Sequence, residues 1–194
     1  KPFLNIVGSN SLFQETIIRL ETLASNHPIV ISNQRHKFLI QEQLNSINKS
    51  HSSIILEPIQ KNTAPALTLA AIHSLSISKN SLLICLPADH LIENTSDFIA
   101  SLNKGISKAK DGSIVTFGIS PTEPKTGYGY IECSNIKADG SELIQFIEKP
   151  KKELALSMVN SGNYLWNSGI FMMRAETWIS LISQYSPSIL ENCE

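Results

Sequence analysis

Residues 82–92 read LLICLPADHLI. The apolar run from Leu82 to Leu86 leads without a break into Pro87, Ala88, Asp89 and His90. A short continuous apolar segment closed by a turn signal suits a strand covered on both faces, as in a parallel sheet between two layers of helices. Ending such a strand in a carboxylate and an imidazole needs a cause, because a buried charge is costly unless it is paired or holds a metal. Two readings stand at this point: Asp89 is a helix cap in a surface turn, or it is carried there for chemistry.

Outward from this stretch, strands and helices alternate. Pro28 to Ser32 and Ile54 to Leu56 read as two further buried strands, the second ending at Glu57-Pro58, and Ser113 to Ile119 reads as another. Between them lie helical stripes. Phe13, Ile17, Leu20 and Ala24 follow a capping box at Ser11 and Gln14. Ala66 to Leu75 follows a start at Asn62-Thr63-Ala64-Pro65, with Asn62 or Thr63 as cap. Phe98, Leu102, Ile106 and Ala109 recur at the same spacing, and Gln41 to Ile47 is weakly helical. This alternation predicts parallel βαβ units and a doubly wound α/β fold. Beyond Gly118 the texture changes. Tyr128 to Glu132 and Leu143 to Ile147 read as strands divided by a polar turn at Asn135 to Ser141. Tyr164 to Trp166 is a short apolar run, Asn167-Ser168-Gly169 a solvated turn, Ile170 to Met173 a strand, and Glu176 to Ser183 a helix. No repeat or linker divides the chain, so residues 1–194 are read as one domain.

Composition narrows the function. With 194 residues, 42% of them hydrophobic, the chain can build one sizeable core. Sixteen basic against seventeen acidic residues, net charge -1, argue against a nucleic-acid surface. No apolar run approaches the roughly 18 residues of a membrane span, and no N-terminal segment reads as a signal peptide. Cys85, Cys133 and Cys193 are odd in number and lack metal-ligand spacing, which fits reduced structural thiols and a cytoplasmic setting. The chain opens at Lys1-Pro2-Phe3 without an initiator Met and reads as a piece of a longer protein.

Polar groups gather where the strands end, and ligands of open parallel sheets bind beyond the carboxyl ends of strands. Glu57-Pro58 and the Asn62 turn follow one strand, Asp89-His90 another, and Thr126-Gly127-Tyr128-Gly129 lies beyond a third. A lone carboxylate can hold a hard cation such as Mg²⁺ if water and substrate phosphates fill its other positions. Free amides at a helix start suit a phosphate or a base edge, and the small residues of the Asn62 turn permit close approach. Gly127 and Gly129 let backbone approach a ligand or merely turn the chain. Glu148-Lys149-Pro150 closes an apolar strand. Neighbours in a strand point to opposite faces, so Glu148 and Lys149 are not expected to pair with each other. Either one suits sugar hydroxyls and the other a phosphate, or the two simply close the strand in a surface turn. Trp166, Met172 and Met173 read as core, and His90 as a neighbour of phosphate or metal at most.

Taken in order, these motifs are more specific than any one of them. They are Ile55-Leu56-Glu57-Pro58 with Asn62-Thr63-Ala64-Pro65-Ala66, then Leu86-Pro87-Ala88-Asp89-His90 and Thr126-Gly127-Tyr128-Gly129-Tyr130-Ile131. Phe146-Ile147-Glu148-Lys149-Pro150 and Trp166-Asn167-Ser168-Gly169-Ile170-Phe171 complete the series. Over essentially the whole chain it resembles the bacterial mannose-1-phosphate guanylyltransferase family, which makes GDP-mannose from GTP and mannose 1-phosphate. The resemblance implies a Rossmann-like (GT-A-like), doubly wound, mixed but mainly parallel sheet of the sugar-nucleotidyltransferase type. It implies Asp89 as the Mg²⁺-binding aspartate, with Lys149 and Lys1 beside it in catalysis. Glu57, Asn62, Thr63, Ala64, Pro87 and Ala88 would lie against the nucleotide. Gly127, Tyr128, Gly129, Glu148 and Asn167 would surround the mannose. GTP, mannose 1-phosphate and GDP-mannose are the implied partners, without nucleic acid or membrane, and a homodimer stays open.

The sequence also departs from the family pattern. The glycine-rich, arginine-containing N-terminal loop and its strand are missing apart from Lys1, as is the later segment with a second metal-binding aspartate. Residues 1–194 are therefore expected to form a partial nucleotidyltransferase domain. Two other functions stay open at the level of sequence. One is a sister enzyme using another nucleotide or hexose. The other is a nucleotide-sugar-binding module that keeps the fold without catalysis.

Overall fold

The structure, a computed structural model, describes residues 1–194 except 7, 25, 26, 60 and 138. Its first half follows the alternation in the sequence. Helix α1 (Leu12–Ile18) starts with the capping box as read: Gln14 N–H donates to Ser11 Oγ at 3.2 Å, and Ser11 N–H to Gln14 Oε1 at 2.9 Å. Strand β1 (Ile29–Asn33) and strand β2 (Ser53–Glu57) pair in parallel, with a 3₁₀ turn and α2 (Lys37–Ser46) between them. Next come α3 (Thr63–Ile77), β3 (Leu82–Cys85), α4 (Thr95–Lys110) and β4 (Val115–Ile119). Then follow β5 (Tyr130–Cys133), β6 (Leu143–Ile147), α5 (Lys152–Ser161) and β7 (Tyr164–Arg174). Helices α6 (Ala175–Tyr185) and α7 (Pro187–Glu191) end the chain. Neither α5 nor α7 is anticipated by the sequence reading, although Gly162, left-handed at φ 75°, marks the end of α5.

Strand β3 shows why its sequence is apolar throughout. Leu82 and Ile84 pack with Leu102 and Ala109 of α4, whereas Leu83 and Cys85 pack with Ala70 and Ala71 of α3 and Ala175 of α6. Alternate side chains point to opposite faces, so a strand with helices over both must be apolar at every position. The doubly wound expectation holds here. Strand β1 does the same on a smaller scale, with Val30 in the cluster of Phe13, Ile40 and Leu44 and Ile31 towards α3. Completely burying a side chain of this size contributes about 1.5–3 kcal/mol.

The sheet is mixed, but its weighting differs from the mainly parallel expectation. Among the described residues only β1–β2 is a parallel ladder; β3–β7, β4–β7, β5–β7 and β5–β6 are antiparallel. The cause is β7. Met172 pairs with Ile84 on one side and Val115 on the other, so β7 lies between β3 and β4 and runs against both. The β3–α4–β4 unit does have two strands pointing the same way, yet a strand from much later in the chain separates them.

That strand corrects the reading of Asn167-Ser168-Gly169 as a turn, because β7 runs through all three. Buried Ser168 donates its hydroxyl to the Phe117 carbonyl at 2.6 Å, and Gly169 takes φ 71°. The polar residues thus meet partners within the sheet instead of solvent. Gly118 lets β4 lie close, since a Cβ there would sit 2.6 Å from Leu165 Cβ. Strand β5 begins at Tyr130, two residues later than expected, which leaves Tyr128 and Gly129 outside the strand. Among the described residues, no helix is long and apolar enough to cross a membrane.

Candidate active site

Three elements deliver their ends to the middle of β7. Strand β3 runs antiparallel to β7, so the residues after Cys85 continue towards Gly169; Pro87 Cγ lies 3.3 Å from where a Gly169 Cβ would be. On the same side of β7, Asn167 N–H donates to the Gly129 carbonyl at 2.8 Å, just before β5 begins. Strand β6 is antiparallel to β5, so its carboxyl end meets the start of β5; Lys149 N–H donates to the Tyr128 carbonyl at 3.2 Å. The loop carrying Asp89, the Tyr128–Gly129 segment, the Glu148–Lys149 end and Asn167 therefore converge.

Asp89 lies in the turn after β3, with its side chain 40% exposed. Ala88 packs into the Phe13 cluster and Pro87 against β7, which pins the loop from both sides. Asp89 is not a helix cap. The next helix, α4, is capped by Asn94, whose Oδ1 accepts from Asp97 N–H at 3.1 Å. Instead Asp89 faces Lys1, Nζ to Oδ2 at 3.7 Å. His90 beside it is half-buried. Burial is the main influence lowering its pKa, with Arg19 and Lys1 in the same direction and Asp89 opposed.

Sequence reasoning missed Arg19. This arginine is buried near His90, with its guanidinium 5.8 Å from the Phe98 ring centroid and Nη1 without a hydrogen-bond partner among the described residues. Burial lowers its pKa, partly offset by Glu15. A cavity of about 400 Å³ lies alongside, lined by Glu15, Arg19, Leu91, Ile92 and Glu93. The one signal available was a charged residue closing the apolar stripe Phe13, Ile17 and Leu20.

Glu148 and Lys149 form an ion pair with each other, Nζ to Oε1 at 2.8 Å, contrary to the expectation from strand geometry. The strand has already ended at Ile147, and Lys149 adopts φ 45°, so alternation no longer applies. Both side chains are largely exposed, which limits such a pair to about 0–1 kcal/mol and leaves both groups free to turn to a ligand. Gly129 is backed by this end of the strand. A Cβ there would lie 2.9 Å from Glu148 Oε2 and 2.7 Å from Phe146 Cζ. Tyr128 stands edge-on to Trp166, centroids 5.2 Å apart. The Asn167 amide is held in place, its Oδ1 accepting from Gly169 N–H at 3.2 Å and Thr116 Oγ1 at 3.3 Å. Gly127 has open space around its Cα.

The Asn62 turn forms a second cluster. Asn62 occupies the cap position of α3 at φ 69°, but its side chain makes no capping bond, which corrects the expectation of a side-chain cap from Asn62 or Thr63. Thr63 and Ala64 open the helix. Its first turn is anchored from within: Thr68 Oγ1 donates to the Ala64 carbonyl at 2.9 Å and accepts from Trp178 Nε1 at 3.0 Å. Glu57, at the end of β2, shares the α3 face with Ile31 and Ile55 and is only 7% exposed. Burial raises its pKa. Among the described residues, no hydrogen bond or ion pair joins the Asn62 turn to the Glu148–Lys149 end.

Comparison with known proteins places this geometry. Residues 1–194 match a family model described as nucleotidyl transferase. Mannose-1-phosphate guanylyltransferase of Escherichia coli is 43% identical over 198 residues, covering all of this chain and 42% of that protein. The chain thus spans under half the length of this curated relative. A Helicobacter pylori structure described as mannose-6-phosphate isomerase superposes with TM-score 0.88 at 35% identity, covering 100% of this chain and 73% of the other. A Thermus thermophilus structure described as mannose-1-phosphate geranyltransferase also gives 0.88, at 27% identity, covering 100% and 56%. By the match along its whole length, the chain belongs to the nucleotidyl transferase family.

Proposed function

We propose that the protein carrying this chain transfers GMP from GTP to mannose 1-phosphate, giving GDP-mannose and pyrophosphate. The observation that carries the reading is the convergence of Asp89, Gly129, Glu148, Lys149 and Asn167 along β7. It is supported by the 43% identity to an enzyme named for that activity. A phosphate oxygen of mannose 1-phosphate attacks the α-phosphorus of GTP in line. The bond from that phosphorus to the bridging oxygen of the β-phosphate breaks, and pyrophosphate leaves. The attacking oxygen is already anionic at neutral pH, so no general base is required, and catalysis is positioning plus charge neutralisation.

In this reading Lys149 leaves Glu148 to meet the sugar phosphate, while Glu148 and the fixed Asn167 amide accept and donate to mannose hydroxyls. Gly127, Tyr128 and Gly129 form the backbone wall of the sugar site. Glu57, Asn62, Thr63, Ala64, Pro87 and Ala88 border the nucleotide, and Lys1 turns from Asp89 to a phosphate. Among the described residues no cluster of three or more His, Cys, Asp or Glu side chains forms a metal cage. A single half-exposed carboxylate suits Mg²⁺, which keeps much of its shell as water and phosphate oxygens, so Asp89 would hold it. Bound there, Mg²⁺ supplies Lewis-acid neutralisation of the phosphate oxygens. The test is to incubate the full-length protein with GTP, mannose 1-phosphate and Mg²⁺ and to measure both products. Equal amounts of GDP-mannose and pyrophosphate are expected. Formation of a different sugar nucleotide from a panel of nucleotides and hexose phosphates would move the activity to a sister enzyme, and no product from any pair would end the enzymatic reading.

A further inference from the structure

We propose that Thr116 is a positioning residue of the sugar site: with the Gly169 amide it holds the Asn167 side chain so that its Nδ2 donors face the sugar phosphate. This deepens the proposed function and rests on it. The setting is an irregularity in the β4–β7 ladder. Thr116 pairs with Phe171 and Gly118 with Asn167, so two steps along β4 span four along β7. The surplus falls at Ser168, Gly169 and Ile170, where Gly169 turns to φ 71°. Bulges re-aim side chains and are over-represented beside active sites. Hydroxyls hold this one in place. Ser168 Oγ donates to the Phe117 carbonyl at 2.6 Å and accepts from Ile170 N–H at 3.1 Å. Val115 and Phe117 pack with α4, so Thr116 between them points to the opposite face. Its Oγ1 reaches across the bulge, 3.2 Å from the Ile170 carbonyl and 3.3 Å from Asn167 Oδ1. Both of these oxygens accept, so the hydroxyl proton is shared between them.

The consequence is a fixed amide. A backbone N–H only donates, so the side-chain atom 3.2 Å from the Gly169 nitrogen is the oxygen, and Nδ2 takes the other side. With Thr116 as a second donor, both lone pairs of Oδ1 are engaged. Asn167 is only half-buried, and its Nδ2 donates to nothing among the described residues. Its backbone N–H meets the Gly129 carbonyl at 2.8 Å, which sets the residue beside the Tyr128–Gly129 segment. A side chain reduced to donors suits a hexose phosphate, whose phosphate oxygens only accept and whose hydroxyls accept as well as donate. Thr116 acts through Asn167 and not on the ligand.

The experiment measures KM and kcat of the full-length protein as wild type, Thr116→Val, Thr116→Ser, Asn167→Ala and the double variant Thr116→Val/Asn167→Ala. Valine keeps nearly the same shape and removes the hydroxyl. Thr116→Val is expected to raise KM for mannose 1-phosphate about 5- to 20-fold and to leave KM for GTP unchanged. Thr116→Ser, which keeps the hydroxyl, should stay within about 2-fold of wild type. In the Asn167→Ala background Thr116→Val should add less than about 2-fold, because the amide it positions is gone. A merely structural Thr116 predicts lower stability with unchanged KM for the sugar phosphate, or an effect that multiplies with that of Asn167→Ala. Either result overturns the proposal. Should Thr116→Val fail to fold, Asn167→Asp decides, since it keeps the oxygen facing Gly169 and loses the donors. Its KM for mannose 1-phosphate should rise at least as far as that of Asn167→Ala, and a wild-type KM overturns the proposal. Failure of the nucleotidyl-transfer reading looks different: the wild type then makes no sugar nucleotide from GTP and mannose 1-phosphate.

Discussion

At the α3 end of the candidate site Glu57 is buried, with no hydrogen bond or ion pair among the described residues, whereas at the β7 end Glu148 lies exposed and joined to Lys149 at 2.8 Å. In the proposed reading the two carboxylates serve one site, yet they stand in opposite states. Burial raises the free energy of a charge until a ligand supplies donors, so such a group discriminates sharply among ligands. An exposed ion pair exchanges one partner for another at little cost, so it orients and neutralises but discriminates less. Asp89 is intermediate in exposure, its side chain 40% exposed and 3.7 Å from Lys1.

The largest effect should come at Asp89. Asp89→Asn keeps the shape and removes the charge, and turnover with Mg²⁺ is expected to fall on the order of 10³-fold. Undiminished turnover in a steady-state assay would remove Asp89 from the metal site and leave the two ends without a common centre. Gly129→Ala acts on the β7 end alone. Its new methyl would meet Phe146 Cζ at 2.7 Å and Glu148 Oε2 at 2.9 Å, both far ends of side chains that can move. Stability should therefore change little, while displacement of Glu148 raises KM for mannose 1-phosphate about 10-fold and leaves KM for GTP alone. A parallel rise in both constants would show that the two ends are one rigid unit.

The difference between the ends also explains what could be read from sequence. The α3 end is built from local signals. The run Ile54 to Leu56, the Asn62 turn and the Ala-rich helix lie in order along the chain, and each appears within a residue or two of its expected place. The capping box of α1 and the two-faced burial of β3 were legible for the same reason. The β7 end depends on pairing across long separations. Ser168 looks like a turn residue until the Phe117 carbonyl, 51 positions away, is placed beside it. Nothing near Leu82–Cys85 or Val115–Ile119 announces that β7 separates them, hence the excess of parallel pairing in the expectation. Strand alternation likewise failed for Glu148 and Lys149, because it ceases where the strand does and Lys149 turns to φ 45°. Candidate site residues were visible as types at strand ends; whether each is paired, as Glu148 is, or without a partner among the described residues, as Arg19 Nη1 is, required the fold.

Removing the exposed pair should barely affect stability. Lys149→Ala is expected to shift the unfolding free energy by no more than about 0.5 kcal/mol, and less still in high salt. Turnover should nevertheless fall about 10- to 100-fold through the loss of phosphate neutralisation. Denaturant unfolding beside kinetics separates the two, and a stability loss above about 2 kcal/mol would mean the pair is part of the framework.

The smallest effect is the most diagnostic of the contrast. Burial raises the pKa of Glu57, so the folded chain holds a proton there more tightly than the unfolded chain does. The stability associated with this proton is complete below the unfolded pKa, about 4.3 for a glutamate, and is lost as pH rises through the higher folded value. At pH 7, without nucleotide, the ionised carboxylate is therefore a liability that Glu57→Gln relieves. The variant should melt about 1–2 °C above the wild type at pH 7, and the gap should close towards pH 4. Excess GTP should reverse the order at pH 7, because ligand bound only by the folded state stabilises it and the wild type binds more tightly. A variant that melts lower than the wild type at every pH, with and without GTP, would mean that Glu57 has a partner within the fold. The two ends of the site would then differ in exposure alone.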